Sequence, residues 1–209
     1  MGVLGDTGMS AYFGLTDIAK PTADDCVLIS GAGGAVGTIA GQIAKLSGAR
    51  VVGIVGSQAK AHWLCDTLGY DAAVVRSGDA PLAEAIGEAC PDGVDVFFDN
   101  VGGQTLEAVI SNMNHRGRLV LCGAISGYGV TPHGPNNLFE VITKELKVEG
   151  FMTHFRHDRY DEAREHLSQW LRDGVIQSPE HRLEGIENVG KAFADLFAGE
   201  NFGKTIVAL

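Results

Sequence analysis

Short β-branched apolar runs alternate with longer helical patterns along most of the chain. Cys26–Ser30 (CVLIS), Arg50–Val55 (RVVGIV) and Ala72–Val75 read as strands, as do residues 94–98 and 118–122. Between them, residues 36–46, Gln58–Leu68, 81–89 and 105–112 carry helical spacing. Pro81 suits a first helical turn, where its missing N–H costs nothing. Further on come a helix near 138–144, a strand near 147–151, a polar amphipathic helix over Tyr160–Arg172, a helix near 189–197 and a closing strand at 204–207. The strands show little polar alternation, as expected of strands buried on both faces. Strand–helix alternation of this kind predicts an α/β fold: a Rossmann-type, doubly wound parallel sheet with helices on both faces.

Composition narrows the partners. The chain has 209 residues, with 45% hydrophobic and 20% charged, which suits one globular domain with appendages. Its formal net charge of −10 argues against a nucleic-acid partner, because neutralising phosphates needs a basic surface. A dinucleotide remains open, since a helix N-terminus and one or two cations suffice. No C-x-x-C pair occurs among Cys26, Cys65, Cys90 and Cys122, and Cys26 and Cys122 sit in apolar runs as small hydrophobes. No disulfide framework is legible. The chain shows neither a basic N-terminal leader nor an apolar run of membrane-spanning length, which predicts a cytoplasmic protein with no membrane partner.

Four motifs carry chemistry. The first is Gly31-Ala32-Gly33-Gly34-Ala35-Val36-Gly37, after one strand and at the start of a helix. That is the context of a dinucleotide fingerprint, in which the backbone approaches a pyrophosphate and free N–H groups receive its charge. Gly37 and Gly41 would let the helix lie close to the sheet. The second is the end of the next strand, Ile54-Val55-Gly56-Ser57, where an NAD site usually places an acid and this chain has none. Lys60 and Arg76 stand nearby, a pattern suited to the extra phosphate of NADPH; the alternative is two solvated surface cations.

The third motif, Asp99-Asn100-Val101-Gly102-Gly103, follows the fourth strand at the carboxyl end, where open α/β sheets bind ligands. Asn100 can donate and accept there; an Asx turn is the plain alternative. The fourth, Cys122-Gly123-Ala124-Ile125-Ser126-Gly127-Tyr128, is a glycine-rich loop that could cradle a nicotinamide, with Tyr128 as a hydrogen-bond donor, or be an ordinary connection. His154 with His157, and His62 with Cys65, lack further ligands at metal spacing, so no metal is expected. Ser30 and Ser126 lack a G-x-S-x-G context, which argues against hydrolase chemistry.

In this order, the motifs resemble the cofactor domain of the medium-chain dehydrogenase/reductases. They are most similar to its zinc-independent branch of prostaglandin reductases, leukotriene dehydrogenases, alkenal double-bond reductases and curcumin reductases. The resemblance rests on Thr7-Gly8-Met9-Ser10-Ala11-Tyr12-Phe13-Gly14-Leu15, Gly34-Ala35-Val36-Gly37, Gly41-Gln42-Ile43-Ala44-Lys45, Phe98-Asp99-Asn100-Val101-Gly102-Gly103, Leu121-Cys122-Gly123-Ala124-Ile125-Ser126 and Asn201-Phe202-Gly203-Lys204. It implies NADP as cofactor. Gly34, Ala35, Val36 and Gly37 would hold the pyrophosphate. Ser57, Lys60 and Arg76 would lie about the 2′-phosphate, with Arg76 standing where many relatives have tyrosine. Asn100 and Asn201 would contact the cofactor. Cys122, Gly123, Ala124, Ile125, Ser126 and Tyr128, with Phe151, Met152 and Thr153, would surround the nicotinamide.

The resemblance also implies an activity and an organisation. The activity is NADPH-dependent reduction of the C=C bond of α,β-unsaturated ketones or aldehydes. Hydride goes to the β-carbon, and the enolate takes a proton from Tyr128, a ribose hydroxyl or water. The isolated chain would bind NADPH but turn over slowly or not at all. Residues 1–20 would be a hinge from an absent GroES-like domain, and residues 21–209 the NADP-binding domain, with its C-terminal helix and strand returning toward the absent part. The strand near 147–151 would be a sheet edge open to homodimer pairing. The rival readings are a quinone-type or zinc-dependent relative, and a non-enzymatic dinucleotide-binding module.

Overall fold

A computed structural model describes residues 2–128 and 134–209. Helix α1 (Asp6–Phe13) runs into a π-helical turn at Gly14–Ala19. The strands and helices then alternate: β1 (Cys26–Ser30), α2 (Ala35–Leu46), β2 (Arg50–Val55), α3 (Gln58–Leu68), β3 (Ala72–Val75), α4 (Leu82–Ala89), β4 (Val94–Asp99), α5 (Gly103–Asn112) and β5 (Met113–Leu121). The rest of the chain carries α6 (Phe139–Thr143), β6 (Lys147–Gly150), α7 (Tyr160–Arg172), β7 (Glu180–Glu184), α8 (Val189–Ala198) and β8 (Lys204–Ala208). Local chemistry sets several of these ends. Ser57 caps α3 by accepting from Lys60 N at 3.4 Å, and Gly69 stops the same helix in the left-handed region at φ 72°.

Six strands pair in parallel in the order β3-β2-β1-β4-β5-β6. The order reverses between β1 and β4, which opens a crevice at their carboxyl ends. Side chains alternate across the sheet. Val27, Ile29, Val51, Val55, Val96 and Phe98 face one layer, where α1, α2, α3 and α7 pack. Leu28, Val52, Ile54 and Phe97 face the other, against Ile86 of α4 and Val109 and Ile110 of α5. Both layers are buried, as the unalternating strands predict. Close approach of α2 needs a glycine: a Cβ at Gly41 would sit 2.1 Å from the Tyr70 ring, whose hydroxyl donates to Gly37 O at 2.7 Å.

Three readings gain detail. Met1 lies outside the described residues; residues 6–19 are helical and core-bound, with Met9, Phe13 and Leu15 fully buried in the first layer. Apolar spacing over 6–15 is met by packing on α2 and α7, which no local pattern announces. The closing strand forms, but β8 pairs with β7 in a separate two-stranded parallel sheet. Strand β7 is unexpected because its sequence, EHRLE, is almost wholly polar. The fifth strand starts earlier than residue 118, at Met113; its register shifts against β4 between Val94 and Val96, which accommodates the polar start. Strand β6 is at the edge of the large sheet, and all four of its residues are exposed.

Candidate functional site

A cleft of about 460 Å³ opens at the carboxyl ends of β1, β2 and β4. Its floor is the turn from β1 into α2. Gly31 is left-handed at φ 58°, and Gly34 N donates to Gly31 O at 2.9 Å. A Cβ at Gly37 would lie 2.4 Å from Gly31 O and 2.6 Å from Ala32 Cα, so only glycine closes this turn. No side chain caps α2. Its first N–H groups, at Ala35, Val36 and Gly37, have no acceptor within the helix and border the cleft beside Gly34. The helix dipole adds positive potential at the same place.

The second wall carries cations and no carboxylate. Val55 and Gly56 end β2, and Lys60 and Arg76 line the cleft above them. Lys60 is only 6% exposed, so it is not a solvated surface lysine. Its Nζ donates to Gly199 O at 2.8 Å and lies 5.5 Å from the centre of the Phe202 ring. Burial holds its pKa below the usual lysine range, with no acid nearby to oppose the shift. An anion entering the cleft would find this ammonium desolvated, where charge pairing is strongest. Arg76 is exposed on the rim and also borders a neighbouring groove that contains Ala124.

The third wall is organised by two residues the sequence reading had not given this role. The Asp99 carboxylate is buried and accepts Ser30 Oγ at 2.6 Å, Val101 N at 2.9 Å and Gly102 N at 3.1 Å. Burial pushes its pKa up, and these donors pull it back only in part. Ser30 Oγ in turn accepts Asn100 N at 2.8 Å, and Asn100 Nδ2 donates to Ser30 O at 2.7 Å. The amide oxygen of Asn100 is left as an acceptor beside the cleft. A serine and an aspartate at the ends of two apolar strands are the signal that could have found this lock. Adjacency of β1 and β4 is what joins them.

The loop after β5 is hung from the same lock. Cys122 N and Gly123 N donate to Asp99 O, and Ser126 N and Oγ both reach Val101 O. Ile125 and Ser126 thereby line the cleft, whereas the Cys122 side chain packs into the first core layer. Burial pushes the Cys122 thiol up to about 11. Gly123 lies against Asn100 O. From the chain's other end, Asn201 lines the cleft, buried, with Nδ2 on Gly203 O at 2.8 Å. Gly203 N reaches Gly33 O at 2.9 Å, which ties this segment to the glycine turn. Leu196, Phe197 and Gly199 also line the cleft, and no sequence motif marks them.

Of the remaining sequence candidates, Ser57, Tyr128, Phe151, Met152 and Thr153 do not line this cleft. Tyr128 is 61% exposed and Met152 55%. Phe151 packs on the first core layer with the Arg156 guanidinium over its ring, and Thr153 Oγ1 donates to Asp6 Oδ1 at 3.3 Å. Among the described residues, no group of three His, Cys, Asp or Glu could hold a metal ion, and no helix is long and apolar enough to cross a membrane.

The chain is similar to known proteins. The chain is 44% identical to prostaglandin reductase 1 of Bos taurus and 36% identical to the NADPH-dependent curcumin reductase of Escherichia coli K12, over 99% of its own length in both cases. Those matches span 64% and 62% of the relatives, so the chain covers less than two thirds of them. The crystal structure of CurA from Vibrio vulnificus in complex with NADPH superposes with a TM-score of 0.92 at 39% identity, over 99% of this chain and 63% of that one. A family model for zinc-binding dehydrogenase matches residues 35–169, from the first turn of α2 to within α7. The doubly wound sheet, the glycine turn and these matches agree: the chain belongs to the zinc-binding dehydrogenase family.

Proposed function

We propose that the cleft holds NADPH and serves reduction of the C=C bond of α,β-unsaturated ketones and aldehydes. One observation carries the cofactor reading: a glycine turn and an uncapped helix start face a wall with Lys60 and Arg76 and no carboxylate. The names of the relatives, a prostaglandin reductase and an NADPH-dependent curcumin reductase, support the substrate class.

When bound, the nicotinamide supplies the hydride. The chain's own residues do the positioning. Gly34, Ala35, Val36 and Gly37 receive the pyrophosphate on backbone N–H groups. Lys60 and Arg76, with Ser57 at the strand end, take the 2′-phosphate. Asn100 and Asn201 fix ribose and amide groups. Ile125 and Ser126 border the nicotinamide end of the cleft, and Cys122, Gly123, Ala124, Phe151, Met152 and Thr153, which do not line it, would meet the nicotinamide beyond it. Tyr128, exposed beside them, is a proton donor to the enolate. The described residues do not fit a metal ion, and no step runs through one. The exposed β6 edge is the place for a second copy to pair, and we read the protein as cytoplasmic.

The test is a fluorescence titration of the chain with NADPH and NADH, repeated on Lys60→Ala and Arg76→Ala. NADPH should bind at least about tenfold tighter, since a charge-assisted contact contributes roughly 1.5–3 kcal/mol. Lys60→Ala should erase most of that preference and leave NADH binding nearly unchanged. Equal affinity for the two cofactors in the unsubstituted chain rejects the assignment.

A further inference from the structure

The place of the Lys60 ammonium in the cleft is set by residues far from its own helix. Lys60 and Trp63 are three positions apart on α3, so their side chains share a face. Phe202, half-buried in the segment between α8 and β8, contacts both. Lys60 Nζ lies over its ring at 5.5 Å from the centre, and the Trp63 ring meets it edge-on with centroids 5.2 Å apart. Gly199 O, in the same segment, accepts from the same ammonium at 2.8 Å. The Lys60 stem passes Gly33, where a Cβ would come within 3.1 Å of its Cδ. Phe202 is itself held on its C-terminal side: Gly203 N donates to Gly33 O and Lys204 N to Pro179 O, both at 2.9 Å. The ring is therefore pinned to the glycine turn that Lys60 crosses.

We propose that Phe202 is a positioning residue: with the Gly199 carbonyl it aims the Lys60 ammonium at the 2′-phosphate, so the segment after α8 sets the preference for NADPH over NADH. The proposal rests on the NADPH reading of the cleft. Phe202 does not line the cleft, so it acts through Lys60. A buried ammonium is costly unless a partner offsets its desolvation. An acid in that role would also repel the incoming phosphate. The face of an aromatic ring attracts the ammonium and carries no net charge, so it favours the cation without opposing the anion. The ammonium has three N–H donors. One is engaged by Gly199 O, which leaves two for phosphate oxygens. NADH has no group to take them.

The experiment titrates the chain with NADPH and with NADH and compares Phe202→Ala with Phe202→Tyr. Phe202→Ala should lose about fivefold in NADPH affinity, with NADH affinity nearly unchanged. Phe202→Tyr keeps an aromatic face and should keep the preference. Three results overturn the proposal: a preference that survives Phe202→Ala, equal weakening of both cofactors, or a Tyr variant no better than Ala. Equal affinity for the two cofactors in the unsubstituted chain rejects the NADPH reading, and the proposal with it. Amide hydrogen exchange gives a measurement that needs no variant. With each cofactor at saturation, residues 199–203 should exchange more slowly under NADPH than under NADH, because the phosphate holds Lys60 and Lys60 holds Gly199 O. Equal exchange under two cofactors that differ in affinity would separate this segment from phosphate recognition and overturn the proposal.

Discussion

The two ends of the chain use their apolar residues in opposite ways. Residues 6–19 send Met9, Phe13 and Leu15 into the first core layer with almost no exposure. They are also stitched to α7: Tyr12 Oη donates to Glu162 at 3.0 Å, and Arg159 bridges Glu162 and Asp17 at 2.7 Å each. The C-terminal arm, with β7, α8 and β8, forms a small sheet of its own and leaves Ile186 70%, Phe193 63% and Phe197 55% exposed. Yet this lightly packed arm delivers Gly199, Asn201 and Gly203 to the cleft, while the tightly packed end delivers nothing to its lining. Packing density and proximity to the site are therefore separate properties of this fold. Segments that serve a ligand are commonly drawn from the less stable part of a structure.

Three substitutions test that contrast. The largest effect belongs to Phe13→Ala. Emptying a fully buried aromatic site at the base of α1 should cost about 3–5 kcal/mol in chemical denaturation. A cost below about 1 kcal/mol would show that residues 6–19 are an appendage after all.

A smaller effect is expected at Glu162. Its hydrogen bond with Arg159 is the chief reason its pKa falls to about 2. A depressed carboxylate contributes stability that is present above the unfolded pKa, roughly 4.3, and lost as pH falls through about 2. The group is largely exposed, so the contribution stays below about 1 kcal/mol. Unfolding curves between those pH values should fall faster for the unsubstituted chain than for Glu162→Gln. Parallel curves would remove this pair from the account of how α1 is held.

The smallest effect is expected for Phe193→Ser. Its ring lies tilted against that of Phe197, with centroids 4.9 Å apart, but faces solvent, so unfolding should change by no more than about 0.5 kcal/mol. A loss near that of Phe13→Ala would erase the difference between the two ends.

Much of the fold was legible because its signals are local. Gln58–Leu68, Ala72–Val75 and Tyr160–Arg172 fall where their spacing predicts. The glycine turn is legible for the same reason: Gly31, Gly34 and Gly37 are needed by a single tight turn, within seven residues. What escaped reading depends on distant partners. EHRLE has no strand signature, and it is a strand because β8 lies beside it. Lys60 could be read as a surface cation until Phe202 and Gly199, far along the chain, were placed over it.

The sequence by itself determined the alternation of strands and helices, the two-sided burial of the sheet and the glycine turn. Each follows from residues a few positions apart, whose steric and hydrophobic demands hold in any environment. Only the tertiary structure decided that residues 6–19 belong to the core, that Asp99 and Ser30 lock three loops together, and that the C-terminal arm completes the cleft. Those facts rest on strand order and on contacts between residues up to about 150 positions apart, such as Tyr12 with Glu162 and Lys60 with Gly199. Such pairings exist only once the chain has folded back to bring their elements together.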